Sequence, residues 1–452
     1  MTAISISISV IIPVHNAEKF LHSCLEHLYA GFGKASECIV VDDGSTDGSA
    51  EVAKKFGATV VSTGGRKGPA YARNIGVKAA TGDVLFFIDS DVCVYPNTLA
   101  RIASAFEGDP QLDGLIGSYD DAPESRDFVS LYRNLMHCFV HQTGRERAQT
   151  FWSGCGAIRR SVFLSHNGFD ESYGRPAIED IELGYRLVRA GCKLMLDKSL
   201  LVKHLKHWTF WSVLKTDVLD RGIPWTELIL RDGSIPNDLN LQISQRVSVA
   251  LSFLLLGLAM VVSIYWRGYF VTPIFALVFF LMGRHWVDAT GQRPRRILLL
   301  TTAAFGLLVA LCYRYHMLGI VPPVVLGYLL LFLRHRYSYP YEKRHRQTGV
   351  LLSIYIGLAA LYIVTYLPTT ILVFAFLIGL TALVAINNQF YFFLASCKGR
   401  LFAFSAIPLH LLYHFYNGIS FLVGCVRHLW RTALDRQAKP VADSRDSRVK
   451  AL

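Results

Sequence analysis

The sequence predicts an α/β domain built on a mostly parallel sheet, followed by an α-helical transmembrane domain. Three observations carry this. Over the first 115 residues, strand-like apolar runs alternate with helix-like segments, the order that packs helices on both faces of a parallel sheet. Two of those runs end in acidic turns, Asp42-Asp43-Gly44-Ser45 and Asp89-Ser90-Asp91, where ligands of such sheets bind. Charge also divides the 452-residue chain: residues 1–240 carry 25 Lys+Arg against 29 Asp+Glu, net −4, and residues 241–452 carry 21 against 5, net +16.

The elements follow in order. Ser7–Val14 is an apolar run opening on an Ile-Ser alternation, which reads as a strand rather than a signal peptide, since no basic residues precede it. Ala17–Tyr29 has helical spacing. Glu37–Val41 is a second strand, Ser49–Phe56 a helix, Thr59–Ser62 a short strand, Pro69–Ala80 a helix, and Asp83–Ile88 a buried strand. Beyond 116 the pattern is mixed: Phe151–Ile158 reads as a strand and Glu179–Ala190 as a helix. Trp208, Phe210, Trp211, Leu214, Val218, Trp225, Leu228 and Ile229 alternate with charges, which suits one or two helices lying in a membrane interface or an ordinary packed surface helix. Four units result: residues 1–207, a connector over 208–246, a membrane domain over 247–426, and a basic tail over 427–452.

Uncharged runs dominate after residue 240. Val247–Trp266 is long enough to cross a bilayer. Gly268–Gly283, Ile297–Tyr313 and Met317–Leu333 are shorter, and Gln347–Cys397 lacks any Lys, Arg, Asp or Glu. Leu401–Val426 is interrupted by Pro408, His410, His414 and Asn417, so it crosses, dips in and returns, or lies flat. Basic clusters at Arg284–Arg296, Arg334–Arg346 and Lys398–Arg400 assign those loops to the cytosol. About six spans follow, with the N-terminal domain on the cytosolic side. Basic residues in short clusters between apolar runs speak for a membrane rather than nucleic acid. The nine cysteines contain no CxxC pair, the pattern of free thiols in a reducing compartment.

The candidate chemistry lies in short motifs. The turn Asp42-Asp43-Gly44-Ser45-Thr46-Asp47 reads as a capped helix start at Thr46 or Asp47, or as strand-end carboxylates that accept from a base edge or ribose. Asp89 and Asp91, spaced i, i+2, can both reach one divalent cation, and hard oxygens suit Mg²⁺ or Mn²⁺. Arg66, Lys67 and Arg73 flank a helix start and can meet phosphates or solvent. Glu179-Asp180 opens a helix, as dipole-favoured capping carboxylates or as a general base. His204, beside a strand, can complete a metal site begun by Asp89 and Asp91; His207 is the weaker candidate.

Together Val10-Ile-Ile-Pro-Val-His-Asn16, Val41-Asp-Asp-Gly-Ser-Thr-Asp47, Ala72-Arg-Asn-Ile-Gly76, Asp89-Ser-Asp91, Trp152-Ser-Gly-Cys-Gly-Ala157 and Glu179-Asp180 resemble, in order and spacing, the family 2 glycosyltransferases of GT-A fold, over about residues 7–207. The resemblance implies that Pro13, His15 and Asp43 line a nucleoside pocket and that Arg66, Lys67, Ser90 and Arg73 lie near the donor. It implies a DxD metal site at Asp89 and Asp91, Asp91 being the direct ligand, with a nucleotide-sugar donor of the UDP or GDP type. Asp180 would be the base and Glu179 its sugar-binding neighbour, and Gly154–Ala157 would face the acceptor.

One departure narrows the reading. Processive members carry QxxRW before their membrane helices; here Asp220-Arg221-Gly222-Ile223-Pro224-Trp225 and Gln245-Arg246 do not fit it. The expected activity is therefore a non-processive inverting transfer to a lipid or lipid-linked acceptor, at a bacterial inner membrane with the catalytic domain cytoplasmic. A processive synthase and a non-enzymatic scaffold are the alternatives. A nucleotidyltransferase lacks support, because Pro13-Val14-His15-Asn16 replaces the glycine-rich loop such enzymes place after the first strand.

Overall fold

A computed structural model describes residues 6–233, 236, 238–265 and 370–438, residue 34 excepted. The N-terminal half runs β1 (Ile8–Val14), α1 (Glu18–Tyr29), β2 (Glu37–Asp42), α2 (Ser49–Lys55), β3 (Thr59–Ser62), α3 (Pro69–Ala79), β4 (Val84–Ile88), β5 (Val92–Val94), α4 (Thr98–Gly108), β6 (Gly114–Tyr119), α5 (Phe128–Thr143), β7 (Cys155–Arg159), α6 (Arg160–Ser165), α7 (Glu179–Arg189) and β8 (Leu194–His204). The strands form one sheet in the order β3-β2-β1-β4-β7-β6-β8-β5.

The central strands β1 and β4 are buried and, Ser9 apart, apolar because helices cover both faces. On one face Val10, Ile12, Phe86 and Ile88 pack with Leu21, Leu25 and Leu28 of α1. On the other, Ile11, Val41 and Phe87 pack with Ala70, Ala72 and Val77 of α3. Phe86 and Phe87 thus anchor opposite layers, and truncating either to Ala would cost about 3–5 kcal/mol. Pro13 sits beyond Ile11, the last β1 residue paired with β4, so its missing N–H breaks no bond to that neighbour.

The β1–β4 half is parallel, as the alternation implies. The rest is mixed: β7 enters antiparallel between β4 and β6, and β5 pairs antiparallel with β8. The strand expected from Phe151 begins only at Cys155, because Phe151–Ser153 leave the sheet to line the cavity.

The connector is α8 (Phe210–Lys215), a π-helical turn over Thr216–Gly222, and α9 (Ile223–Asp232), then a 3₁₀ turn at Leu239–Leu241. It exposes Trp211 and Leu219 while burying Trp208 and Val213. Four helices follow among the described residues: α10 (Ile243–Tyr265), α11 (Thr370–Ile386), α12 (Asn388–Lys398) and α13 (Arg400–Ala438). Two, Ile243–Met260 and Arg400–Leu434, are long and apolar enough to cross a membrane, or three if the pair bent by 63° at Asn387 counts as one span. α13 continues through Pro408, so the segment 401–426 does not turn back on itself. The runs 268–283, 297–313, 317–333 and 347–368, the basic loops at 284–296 and 334–346, and the tail beyond 438 lie outside the described residues.

A third apolar cluster joins the two halves. Phe128, Tyr132, Leu135 and Met136 of α5 pack with Trp208, with Phe390 and Leu394 of α12, and with Ala406 and Leu409 of α13. At its edge Arg133 pairs with Asp217, whose other oxygen accepts from Tyr416 Oη at 2.6 Å.

Candidate active site

A cavity of about 460 Å³ opens where the β1, β2 and β4 strands end, lined among others by Pro13, His15, Asp43, Arg66, Arg73, Asp89, Ser90, Asp91, Glu179 and Asp180. Ten of the twelve residues singled out from sequence therefore converge. Lys67 and His204 are not on the wall, and each acts from behind it.

At the β2 end, Asp43 is used structurally. Its oxygens accept from the Lys67 and Gly68 amides, both at 2.8 Å, and from Thr63 Oγ1 at 3.0 Å. The carboxylate thus folds the 64–68 loop over the cavity, and the contribution of Lys67 is its backbone N–H. Gly68 has φ +99°, and a Cβ there would lie 2.6 Å from the Gly174 carbonyl, so only glycine permits this approach. His15 Nδ1 donates to the Asp43 carbonyl at 2.9 Å, tying the β1 turn to the β2 turn.

Arg73 organises the centre. It is almost fully buried and reaches Asp89 at 2.7 Å and Glu179 at 2.9 Å. Glu179 also accepts from the Ala177 amide at 3.0 Å. Burial pushes the Glu179 carboxyl up; Arg73 opposes that and Asp180 reinforces it. Asp180 is half-buried and forms no ion pair among the described residues. Its Oδ2 accepts from Ser153 N at 3.1 Å and Ser153 Oγ at 3.2 Å, and Oδ1 from the Ile181 amide at 2.8 Å.

Asp91 faces His204, Oδ2 to Nε2 at 3.6 Å. Burial works against the ionised Asp91, but His204 and Lys206 outweigh it and hold its carboxyl below the ordinary range. The His204 tautomer can be assigned from its neighbours. Trp208 Nε1, a donor only, points at Asn134 Oδ1 at 3.2 Å, which fixes that atom as oxygen, and His204 Nδ1 must then donate to it at 2.7 Å. With Nδ1 committed to Asn134, Nε2 is the atom that faces the carboxylate, and losing its proton, as metal ligation requires, would free a lone pair there. An oxygen and an imidazole nitrogen so opposed are a donor set fitting Mg²⁺ or Mn²⁺. No group of three His, Cys, Asp or Glu side chains converges in this way among the described residues. Asp89 has one oxygen on Arg73, so the remaining positions would fall to water and ligand oxygens.

Residues 9–166 match the family model described as glycosyl transferase family 2. The N-terminal domain belongs to that family. Similar proteins include glycosyltransferase GlyG of Streptococcus pneumoniae, 33% identical over 123 residues, 26% of this chain and 40% of that protein. Glycosyltransferase GlyA of the same organism is 34% identical over 187 residues, 36% of this chain and 26% of that protein. The chain thus spans two-fifths or less of these relatives' length. Among solved structures, the Pyrobaculum calidifontis mannosyltransferase PcManGT, in complex with GDP-Man and Mn²⁺, aligns with a TM-score of 0.42 and 17% identity, covering 72% of this chain and 87% of that one.

The family 2 domain also draws on residues that sequence reasoning passed over. Tyr119, His137, His141 and Trp152 line the cavity as an aromatic wall, with ring centroids 4.7 Å apart for Tyr119–Trp152 and 4.6 Å for His141–Trp152. Lys206, Arg221 and Trp225 line it too. Arg221 and Trp225 belong to the segment whose spacing does not fit QxxRW, yet the π-helical turn brings Arg221 to the site and the first turn of α9 brings Trp225. The helical spacing of Phe128, Tyr132, Leu135, Met136 and Phe139 was the available signal for α5, which carries the two histidines.

Proposed function

We propose that the chain is a membrane-anchored inverting glycosyltransferase moving one sugar from a nucleoside diphosphate donor to a lipid or lipid-linked acceptor. The observation that carries this is Asp180: a half-buried carboxylate that forms no ion pair among the described residues, on the same cavity as Asp89 and Asp91. Asp43 and Pro13 would border the nucleoside, in keeping with the family match. A divalent cation held by Asp91 and His204 would neutralise charge on the diphosphate.

In the step itself, the acceptor oxygen forms a bond to the anomeric carbon as the bond to the diphosphate oxygen breaks. The electron pair leaves with the nucleoside diphosphate, and the acceptor proton passes to Asp180 Oδ. Ser153 and the Ile181 amide fix the carboxylate's orientation and would stabilise its charge before the transfer. Glu179 and Asp89 are held by Arg73, Asp43 by the 64–68 loop and Asp91 by His204. Among the described residues on the cavity wall, that leaves Asp180 as base and no second carboxylate free as a nucleophile, which favours a single displacement with inversion.

The two apolar spans would anchor the domain at a bacterial inner membrane. The eight described cysteines are unpaired, in keeping with a cytosolic catalytic domain. Asp180→Asn tests the assignment: with a hydroxyl acceptor, kcat should fall about 10²–10⁴-fold with donor affinity retained. Near-normal turnover would sink the base role.

A further inference from the structure

α13 is 39 residues long, about 58 Å at 1.5 Å per residue. That is roughly twice the 30 Å hydrocarbon core a crossing helix must bridge. Most of this length lies against the family 2 domain and its connector. Phe402 meets Phe128 of α5, with ring centroids 5.3 Å apart. Tyr416 donates to Asp217 of the π-helical turn at 2.6 Å. Further along, a Cβ on Gly424 would lie 2.5 Å from Thr226 Cβ of α9. Arg427 and Arg431 then pair with Glu227 at 3.0 and 3.3 Å. From Phe402 to Arg431, about 44 Å of helix axis is held against one body. A crossing α13 would draw that flank into the bilayer. The Arg133–Asp217 pair and Glu227 would then sit at hydrocarbon depth, where ionised groups are expensive.

The side of α13 turned away from these contacts is apolar. Phe404, Ile419, Leu422, Val426, Leu429 and Trp430 are exposed among the described residues, the last three of this stripe beyond Leu422 at 65–69%. At 100° per residue all six fall within an arc of about 100°. The opposite arc holds Asn417, His428 and Thr432, polar and half-buried. A long apolar stripe carrying tryptophan, with arginines along the helix beside it, is the pattern of a helix lying in the plane of a membrane interface. α10 identifies what the stripe faces. Its Phe253 packs on Phe415 of α13, with ring centroids 5.1 Å apart, and Phe415 falls in the same arc. The other span-length helix therefore meets α13 on the stripe side, which makes that the side of the bilayer.

We infer that α13 does not cross the membrane but lies along its surface, with the stripe set into the boundary between lipid headgroups and acyl chains and the other side carrying the family 2 domain. This rests on the membrane anchoring proposed above and not on sugar transfer. It gives the anchor a direction: α10 enters the bilayer, and α13 holds the domain along its length. Arg221 and Trp225 line the cavity from the connector that rests on α13, so the helix sets the height of the cavity over the lipid surface.

The test measures depth on the full chain in nanodiscs of phosphatidylcholine and phosphatidylglycerol. A spin-labelled p-acetylphenylalanine, which spares the native cysteines, replaces Ile419, Val426 or Ala433 in turn. These positions are seven residues apart and share one face of α13. Val247 and Leu254, exposed on α10, serve as references. Relaxation by oxygen against relaxation by a water-soluble nickel complex reads each depth. The three α13 probes should lie within about 5 Å of one another at the headgroup boundary, while Leu254 lies about 10 Å deeper than Val247. A crossing α13 at an ordinary tilt of about 20° separates at least two of its probes by about 10 Å, and that result would overturn the inference. Probes shielded from both reagents would put another protein segment on the stripe, and probes in bulk water would leave it without lipid; either outcome overturns it too. Val247 and Leu254 both in water would refute the membrane anchoring itself, and the in-plane helix with it.

Discussion

Arg73→Met isolates the interaction that holds the centre of the site. Its side chain and that of Glu179 are 5% and 6% exposed, whereas Asp89 is 36% exposed. Losing the half-exposed Asp89 contact costs little, on the order of 1 kcal/mol or less. Leaving Glu179 buried without a cation costs about 3–5 kcal/mol. For a domain of this size that lowers the melting temperature by about 6–20 °C, read by differential scanning fluorimetry. The pH dependence gives a sharper signature. The folded-state Glu179 carboxyl lies above its ordinary 4.5, and removing Arg73 raises it further. A group raised on folding favours the fold while protonated, and that contribution is lost as pH rises through the folded-state value. The gap between variant and wild type should therefore be narrow near the ordinary carboxylate value and widen towards neutrality. Arg73→Met/Glu179→Gln should recover most of the loss. A drop under about 2 °C, or a gap independent of pH, would refute the reasoning.

Three further outcomes are expected. Gly68→Ala forces a Cβ into the Gly174 carbonyl and should lower both stability, by about 1–3 kcal/mol, and nucleoside diphosphate affinity, measured by calorimetry. Asn134→Leu releases His204 Nδ1 and should weaken Mn²⁺ binding about 10–100-fold, read by electron paramagnetic resonance; unchanged binding would dismiss the tautomer argument. Tyr416→Phe leaves the buried Asp217 short of one donor and should cost about 1.5–3 kcal/mol in a urea unfolding series.

The parallel half of the sheet was legible because each strand is apolar and ends in a recognisable turn. Its second half was not. β5 is three residues long, and β6, Gly-Leu-Ile-Gly-Ser-Tyr, contains two glycines that weaken any strand signal. Site residues at strand ends, such as Asp43, Asp89 and Asp91, could be named from pattern, whereas their allocation could not. That Asp43 folds a loop, and that Arg73 joins Asp89 to a Glu179 lying 106 positions beyond the arginine, are tertiary facts. Arg221 and Trp225 escaped for a different reason. Their i, i+4 spacing suits one helix face but not QxxRW, and the π-helical turn that carries Arg221 ahead of α9 has no sequence signature.

The most direct test of sugar transfer at this cavity is release of nucleoside diphosphate from a panel of UDP-, GDP- and dTDP-sugars, with Mn²⁺ or Mg²⁺ and native lipid extract, by purified full-length protein. Release from at least one donor, dependent on both metal and lipid and abolished in Asp91→Asn, is the expected result. Lipid-independent silence across the whole panel, from protein shown to be folded, would contradict it.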